Sequence, residues 1–288
     1  MKNPDVKSFF DHSTSTWSYV VWYESSENRI CAVIDSVLDF DISSGKVSTA
    51  SADLIVNFIK EKKLNLEWIL ETHIHADHIT AADYLKNKLG GKTGVTKRII
   101  SVLKTWEKIL NNSADTSLTG EQFDYLFDDN EEFKIGDLTA KIIATPGHTP
   151  ADTCFVVGET IFTGDAIFLP DVGSGRCDFP DGSAESSFDS VQKLFSFPDH
   201  YKLYIGHDYP PSATRQAEYV TTVGEEKAKN IRLKNGISKT EFVAKRIADD
   251  NGKPVPKLLF PSLQVNLRAG KFGNSQGGIS YIKIPVTF

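Results

Sequence analysis

His73-Ile74-His75-Ala76-Asp77-His78 places four metal-capable side chains within six residues, a density that packing does not explain. The segment before it, Leu66-Glu67-Trp68-Ile69-Leu70-Glu71, has the aromatic and apolar content of a strand. Side chains alternate along an extended chain, so His73 and His75 project the same way as the chain leaves that strand. Asp77 and His78 fall where a helix is expected to begin, ahead of Ala81, Ala82 and Leu85. The cluster is therefore predicted at the carboxyl end of a strand, where open α/β sheets form their ligand crevices. A lone histidine is more often a packing or surface residue than a ligand. Four candidates at this spacing argue the reverse.

The other ligand-capable residues sit in similar contexts. His148 lies in Thr145-Pro146-Gly147-His148-Thr149, after the strand candidate Ala140-Lys141-Ile142-Ile143-Ala144; Pro and Gly stop the strand and present the imidazole on a turn. Asp165 follows Glu159-Thr160-Ile161-Phe162-Thr163-Gly164, and His207 closes Leu203-Tyr204-Ile205-Gly206-His207-Asp208. Residues at the ends of separate strands can converge, with Asp77 and His78, on one crevice. His12 and His200 read as ordinary surface residues.

Composition fits a folded enzyme. The chain has 288 residues, 40% of them hydrophobic, enough for a sizeable core. A net charge of −6 argues against capture of nucleic acid or an anionic membrane. Cys31, Cys154 and Cys177 are odd in number and lack C-x-x-C spacing, which argues against a disulfide framework and a thiolate zinc site and points to a reducing cytoplasm. The polar start Met1-Lys2-Asn3-Pro4-Asp5-Val6 has no apolar core of an export signal, and no long apolar run occurs. Neither export nor membrane insertion is expected. Oligomeric state stays open, a homodimer included.

Ser18–Tyr23 and Ile30–Asp35 read as a hairpin around the polar turn Glu24–Arg29. Ala50–Lys62 has an apolar stripe of Ala52, Leu54, Ile55, Phe58 and Ile59 and is predicted to be a helix. Further helices are expected over Thr80–Leu89, Lys97–Leu110 and Ser187–Phe195, with Gly90-Gly91 as a break. The acidic stretch Asp124–Glu132 reads as a solvated connection.

The order H-x-H-x-D-H, then His, Asp and His, resembles the metallo-β-lactamase superfamily from about Ser18 to His207. That resemblance implies an α/β (α+β) fold, a four-layer αββα sandwich with a metal site at one edge between two sheets. The division it suggests is a catalytic part over 1–210 and a C-terminal helical insertion and closing segment over 211–288, packed on the same domain. A thiolate-free set of imidazoles and carboxylates suits two zinc ions or one iron. Two zincs could use His73, His75 and His148 at one position and Asp77, His78 and His207 at the other, with Asp165 bridging and a shared hydroxide attacking a thioester or amide. One ferrous iron could use two His and a carboxylate, leaving positions for O2 and substrate. Ligand types leave both open.

Glu71-Thr72-His73-Ile74-His75-Ala76-Asp77-His78-Ile79-Thr80 is similar to the persulfide dioxygenase (sulfur dioxygenase) branch of that superfamily. So are Ala144–Thr149, Phe162–Ala166, Gly175–Phe179 and Gly206–Tyr209, and Pro261–Gly270 resembles the branch's C-terminal closing element. The likeness is nearest to the longer bacterial members, in Leu169-Pro170-Asp171 and in a helical insertion near Thr222–Asp250. The resemblance implies one Fe(2+) per chain on His73, His148 and Asp165. It also implies oxidation of glutathione persulfide by O2 to sulfite and glutathione, as in sulfide detoxification. His75, Asp77, His78 and His207 would then orient ligands and waters through hydrogen bonds.

Glutathione carries two carboxylates, so an acidic protein must supply local donors. Arg176 is the first choice, its guanidinium fork matching a carboxylate, although Asp178 is a competing partner. Tyr209 is expected at the edge of the site, and Asn266 and Arg268 as caps of its mouth. Cys177 has no general-base pattern beside it and reads as an ordinary cysteine. The alternative activity is a glyoxalase II-type di-zinc thioesterase, whose Asn-Pro-Phe-Leu-Arg ending has no match here. A lactonase or a true β-lactamase fits less well. A catalytically silent scaffold would be expected to have lost ligands, and every ligand position is filled.

Overall fold

The computed structural model describes residues 2–25, 27–210 and 215–286. The first half of the chain runs β1 (Asp5–Asp11), β2 (Thr16–Trp22), β3 (Ile30–Ile34), β4 (Val37–Asp41), β5 (Lys46–Ser48), α1 (Ala50–Glu61), β6 (Asn65–Leu70), β7 (Ile79–Thr80), α2 (Ala82–Leu89), β8 (Lys92–Thr96), α3 (Ile99–Leu110) and β9 (Tyr125–Phe127). The second runs β10 (Glu132–Ile135), β11 (Leu138–Ala144), β12 (Thr153–Val157), β13 (Thr160–Gly164), α4 (Ala184–Phe195), β14 (Lys202–Ile205), β15 (Val220–Thr222), α5 (Val223–Lys229), α6 (Lys239–Asp250), α7 (Leu259–Asn266), β16 (Ser275–Gln276) and β17 (Ile279–Ser280).

Two six-stranded sheets form, in the orders β1-β2-β3-β6-β8-β9 and β10-β11-β12-β13-β14-β15. Strand β2 shows why they stack. Every residue in it is buried, and the period of two sends Trp17, Tyr19 and Val21 into the core between the sheets while Val20 and Trp22 pack outward with α1. Ile142, Phe155, Phe162 and Ile205 of the second sheet meet that inner face. Ile143, Cys154, Ile161 and Leu203 turn outward against Val191 and Leu194 of α4 and Phe242 of α6. Helices thus cover both outer faces, giving the αββα sandwich that the resemblance implied.

Parallel pairing assembles the site. Strands β3 and β6 run parallel, so Asp35 and Glu71-Thr72-His73 emerge side by side. Strands β13 and β14 do the same, with Gly164 opposite Ile205, and deliver Asp165 and His207 to one edge.

The structure departs from the sequence reading in several places. Asp77 and His78 do not open a helix: Ile79–Thr80 first pairs with Val37–Leu38 of β4 as a short strand, and α2 begins at Ala82. The acidic stretch 124–132 is more than a solvated connection, because Tyr125–Phe127 pairs with β8 and Phe127 is fully buried between the sheets. Its charges alternate outward, and Asp124 accepts hydrogen bonds from the Thr93 amide and hydroxyl at 2.8 and 2.9 Å. Strand β1, which the sequence reading lacked, pairs along β2. The expected boundary at 210/211 abuts residues 211–214, which lie outside the described ones. No helix among the described residues is long and apolar enough to cross a membrane.

Helix α7 supports the metal-capable loop from below. The buried Asn266 amide donates to the carbonyls of His75 (2.9 Å) and His78 (2.8 Å), and its oxygen accepts from the Thr80 amide (2.9 Å). Removing it strands three buried backbone groups, each costing about 1–3 kcal/mol when left unpaired. Asn266→Ala is expected to lower Tm by several degrees, roughly 2–4 °C per kcal/mol for a chain of this size; an unmoved thermal melt would count against the clamp.

Glu226 of α5 is fully buried. One carboxylate oxygen accepts from Asn230 Nδ2 at 2.6 Å, and the other has no partner among the described residues. Burial pushes this acid from 4.5 up to about 8. The folded chain therefore retains a proton that the unfolded chain releases above 4.5, so this group makes stability fall as pH rises between 4.5 and about 8. Glu226→Gln should flatten that slope. Urea titrations of both proteins across this range test it, and parallel curves would refute the assignment.

Candidate metal centre

His73, His148 and Asp165 each place a ligand-capable atom within 4.8 Å of the others, and all three are buried. Hydrogen bonds fix which nitrogen faces inward. The Thr72 hydroxyl donates to Asp35 Oδ2 at 2.8 Å, so it can only accept from His73 Nδ1 at 3.1 Å. That leaves the lone pair of His73 on Nε2, which is buried without a hydrogen-bond partner. His148 Nδ1 lies 2.7 Å from the Arg176 carbonyl, a pure acceptor, so its lone pair is also on Nε2, 3.5 Å from Asp165 Oδ2. Burial first, and then the neighbouring His75 and His148, hold the His73 imidazole well below its ordinary pKa, in the neutral form a metal needs.

Two glycines permit the approach. Gly164 has φ +50, and a Cβ on it would lie 2.4 Å from Thr72 Oγ1. A Cβ on Gly206 would lie 2.7 Å from Asp165 Oδ1.

The remaining motif residues take other positions. His75 Nε2 faces two buried carboxylates, Asp35 at 3.1 Å and Glu71 at 3.3 Å. Burial alone would lower its pKa, but Asp35 and then Glu71 override this and raise it well above the ordinary value. His75, Asp77 and His78 form a second group with donor atoms within 4.8 Å of one another. His207 donates through Nδ1 toward the Ser15 carbonyl at 3.2 Å and turns Nε2 toward Asp165 (3.4 Å) and Asp77 (3.5 Å). Unpartnered buried atoms at His73 Nε2, His75 Nδ1, His78 Nε2 and Asp165 Oδ1, all nitrogen or oxygen, fit a borderline or hard cation such as iron or zinc.

A cavity of about 260 Å³ opens over this group, lined on the metal side by Asp77, His148, Asp165 and His207. Arg176, Arg232, Arg246 and Lys253 supply cations to its walls. Arg176 holds Asp178 with two bonds of 2.6 Å and the Pro254 carbonyl at 2.8 Å, so the pairing that competed with substrate binding is present even though the residue lines the cavity. Arg232 pairs with Asp249. Arg246 clamps Asp250, which also accepts from the Cys177 amide (2.8 Å) and from Lys253 Nζ (3.0 Å). Four cations thus face three carboxylates, and Lys253 is the one without a carboxylate of its own. Sequence reading missed Arg232, Arg246 and Lys253, as well as Asp35 and Glu71; the only local signal was the i,i+4 spacing of Arg246 and Asp250.

Tyr209 stands at the cavity, stacked on His207 with ring centroids 5.6 Å apart. Asn266 and Arg268 do not cap the mouth. Asn266 is committed to the loop backbone, and Arg268 is buried, bonding Asp115 at 2.9 Å and the Lys271 carbonyl at 3.0 Å. Burial pushes the Cys177 thiol up to about 12, which suits an unreactive cysteine. His12 is exposed, as is His200.

The family model described as Metallo-beta-lactamase superfamily matches residues 14–207. "Glyoxylase B2" of Dictyostelium discoideum is 41% identical over 286 residues, covering 98% of this chain and 97% of that protein. "Persulfide dioxygenase ETHE1, mitochondrial" of Bos taurus is 31% identical over 268 residues, covering 92% and 88%. Among solved structures, that of ETHE1 from Myxococcus xanthus aligns with a TM-score of 0.73 at 28% identity, over 93% of this chain and all of that one. With the two stacked sheets, the strand-end histidines and these likenesses in agreement, the chain belongs to the metallo-beta-lactamase superfamily.

Proposed function

We propose that this chain is a persulfide dioxygenase that oxidises glutathione persulfide with O2 to sulfite and glutathione at a single ferrous iron held by His73, His148 and Asp165. The observation that carries the reading is the convergence of His73, His148 and Asp165. Two imidazole lone pairs and one carboxylate meet within 4.8 Å, while His75 gives its Nε2 to Asp35 and Glu71. With Nε2 bonded to a carboxylate, the free nitrogen of His75 is Nδ1, buried and without a hydrogen-bond partner among the described residues, and it belongs with Asp77 and His78 to the group on which the second reading draws. Likeness to persulfide dioxygenases in sequence and in fold supports the same reading.

Bound at this site, ferrous iron would supply coordination for the outer persulfide sulfur and for O2. The chain's own residues do the rest. Thr72 and the Arg176 carbonyl lock the two imidazoles in the tautomer that exposes Nε2. His207 faces Asp165 and fixes the carboxylate's orientation. The cationic wall of Arg176, Arg232, Arg246 and Lys253 gives the carboxylates of glutathione a complementary surface in a protein that is acidic overall. Residues 211–288 therefore act, in this reading, as part of the same functional domain, in a protein of the cytoplasm.

A second reading, a glyoxalase II-type di-zinc thioesterase, draws on the 41% identity to a protein named Glyoxylase B2 and on the second cluster of His75, Asp77 and His78. Metal analysis of freshly purified protein, with oxygen consumption on adding glutathione persulfide, separates the two. One iron per chain with O2 uptake is expected, lost together in His148→Ala and Asp165→Ala. Two zincs with hydrolysis of a glutathione thioester would replace the dioxygenase reading with the other. Lys253→Gln should raise the KM for glutathione persulfide roughly threefold to tenfold and leave kcat in place, as loss of uniform binding does. An unchanged KM would remove Lys253 from substrate binding.

A further inference from the structure

A second, smaller cavity lies on the other side of His148. Ile74 and Ala76 of the metal loop, Val102 and Trp106 of α3, Leu263 of α7 and the ring of Phe179 enclose most of it. It leaves about 20 Å³ for the centre of a water-sized molecule, room for one small occupant. Ala76, His148 and Phe179 line both this cavity and the one that bears the metal-capable residues. The two spaces therefore share these three side chains as a wall, with His148 and Phe179 packed edge to face at 5.1 Å.

The polar groups on its wall are bonded to one another or to neighbours, and Asp181 lies on that wall at the exposed surface. The Thr105 hydroxyl donates to Asp181 at 2.6 Å. The Thr149 hydroxyl and amide both bond Asp152, at 2.5 and 2.7 Å. His148 commits Nδ1 to the Arg176 carbonyl and turns Nε2 toward Asp165. A water molecule needs two to four polar partners to be held in such a space, and an apolar cavity of this kind stays dry and takes up apolar gases. The alternation of the motif itself produces this surface. His73 and His75 face the metal side, and the intervening Ile74 faces α3, where it joins the apolar cluster of Val102, Trp106 and Leu263.

We propose that this cavity is a binding site for dioxygen, a staging position from which the gas reaches the metal cavity past Ala76. The assignment rests on the dioxygenase reading above, since a hydrolase would have no use for it. It separates the routes of the two substrates: the charged persulfide enters by the cationic wall, and the gas arrives through the apolar side.

Two variants and one probe gas test it. Val102→Phe fills the cavity, and Thr105→Trp, on the half-exposed surface of α3, covers its mouth without entering the core and so keeps the test valid if the first variant misfolds. Crystals of the wild-type protein pressurised with xenon should show the atom in this cavity, and crystals of a folded Val102→Phe should not. In oxygen-electrode kinetics each folded variant should raise the KM for O2 roughly threefold or more, with the KM for glutathione persulfide and the iron content unchanged. Absence of xenon from the wild-type cavity, or an unchanged KM for O2 in the variants, would overturn the gas site while leaving the dioxygenase reading intact. A wild-type enzyme that consumes no O2 would end both.

Discussion

The carboxylate of Asp35 is the point on which the site turns. It is buried at the end of β3, at a backbone φ of +51, and accepts from the Thr72 amide and hydroxyl at 2.8 Å each and from His75 Nε2 at 3.1 Å. Burying a charge is costly unless it is paired and bonded. Here the donors come from the loop that has to be shaped, so satisfying the charge and shaping the loop are one event. Through the Thr72 hydroxyl the same carboxylate sets the tautomer of His73, and by taking Nε2 of His75 it leaves that ring's free nitrogen at Nδ1. The parallel pairing of β3 with β6 brings Asp35 and Thr72 together, and no local feature of either strand could do so.

The opposite wall follows the same logic with different chemistry. Strands β13 and β14, parallel with a register shift between Phe162 and Gly164, deliver Asp165 and His207 to the same edge. Gly164 removes the side chain that would otherwise meet Thr72 of the first wall, and Gly206 the one that would press on Asp165. The loops meet because their backbones can pass at contact distance, and the ligand-capable atoms that result are left unpaired in a buried space. Such atoms are rare in folded proteins and call for an ion or another ligand to complete them.

The C-terminal part closes the construction from two sides. Asn266 of α7 ties down the carbonyls of the histidine loop, so the helix acts on the site through backbone geometry and never touches the cavity. Helix α6 and the turn after it bring Arg246 and Lys253, with Arg232 ahead of them, to the cavity wall. Asp250 gathers Arg246, Lys253 and the Cys177 amide, linking the insertion to the loop that carries Arg176. The catalytic half and its extension are therefore joined by buried charge as well as by the apolar cluster around Phe242.

By itself, the sequence determined the identity of the ligand-capable residues and the strands that carry them. Spacing of two within an extended segment, and Gly or Pro at a strand end, are local properties that survive without knowledge of the fold. It also sufficed for the hairpin of β2 and β3 and for the amphipathic helices α1 and α3, whose apolar periods are plain. It failed where one buried residue decides the outcome within a polar run, as Phe127 does in the acidic stretch that contains β9. It failed again where function depends on residues far apart in the chain. Glu71 ended a strand and gave no sign that its carboxylate would face His75, and nothing in the sequence singled out Arg232, Arg246 or Lys253. Asn266 and Arg268 were misplaced at the mouth because their burial depends on how α7 docks. The tertiary structure alone decided which histidines converge, which one gives a nitrogen to buried carboxylates and which cations face the cavity. The reason is that lone-pair direction and charge pairing are set by contacts between segments, which the order of residues along one segment does not encode.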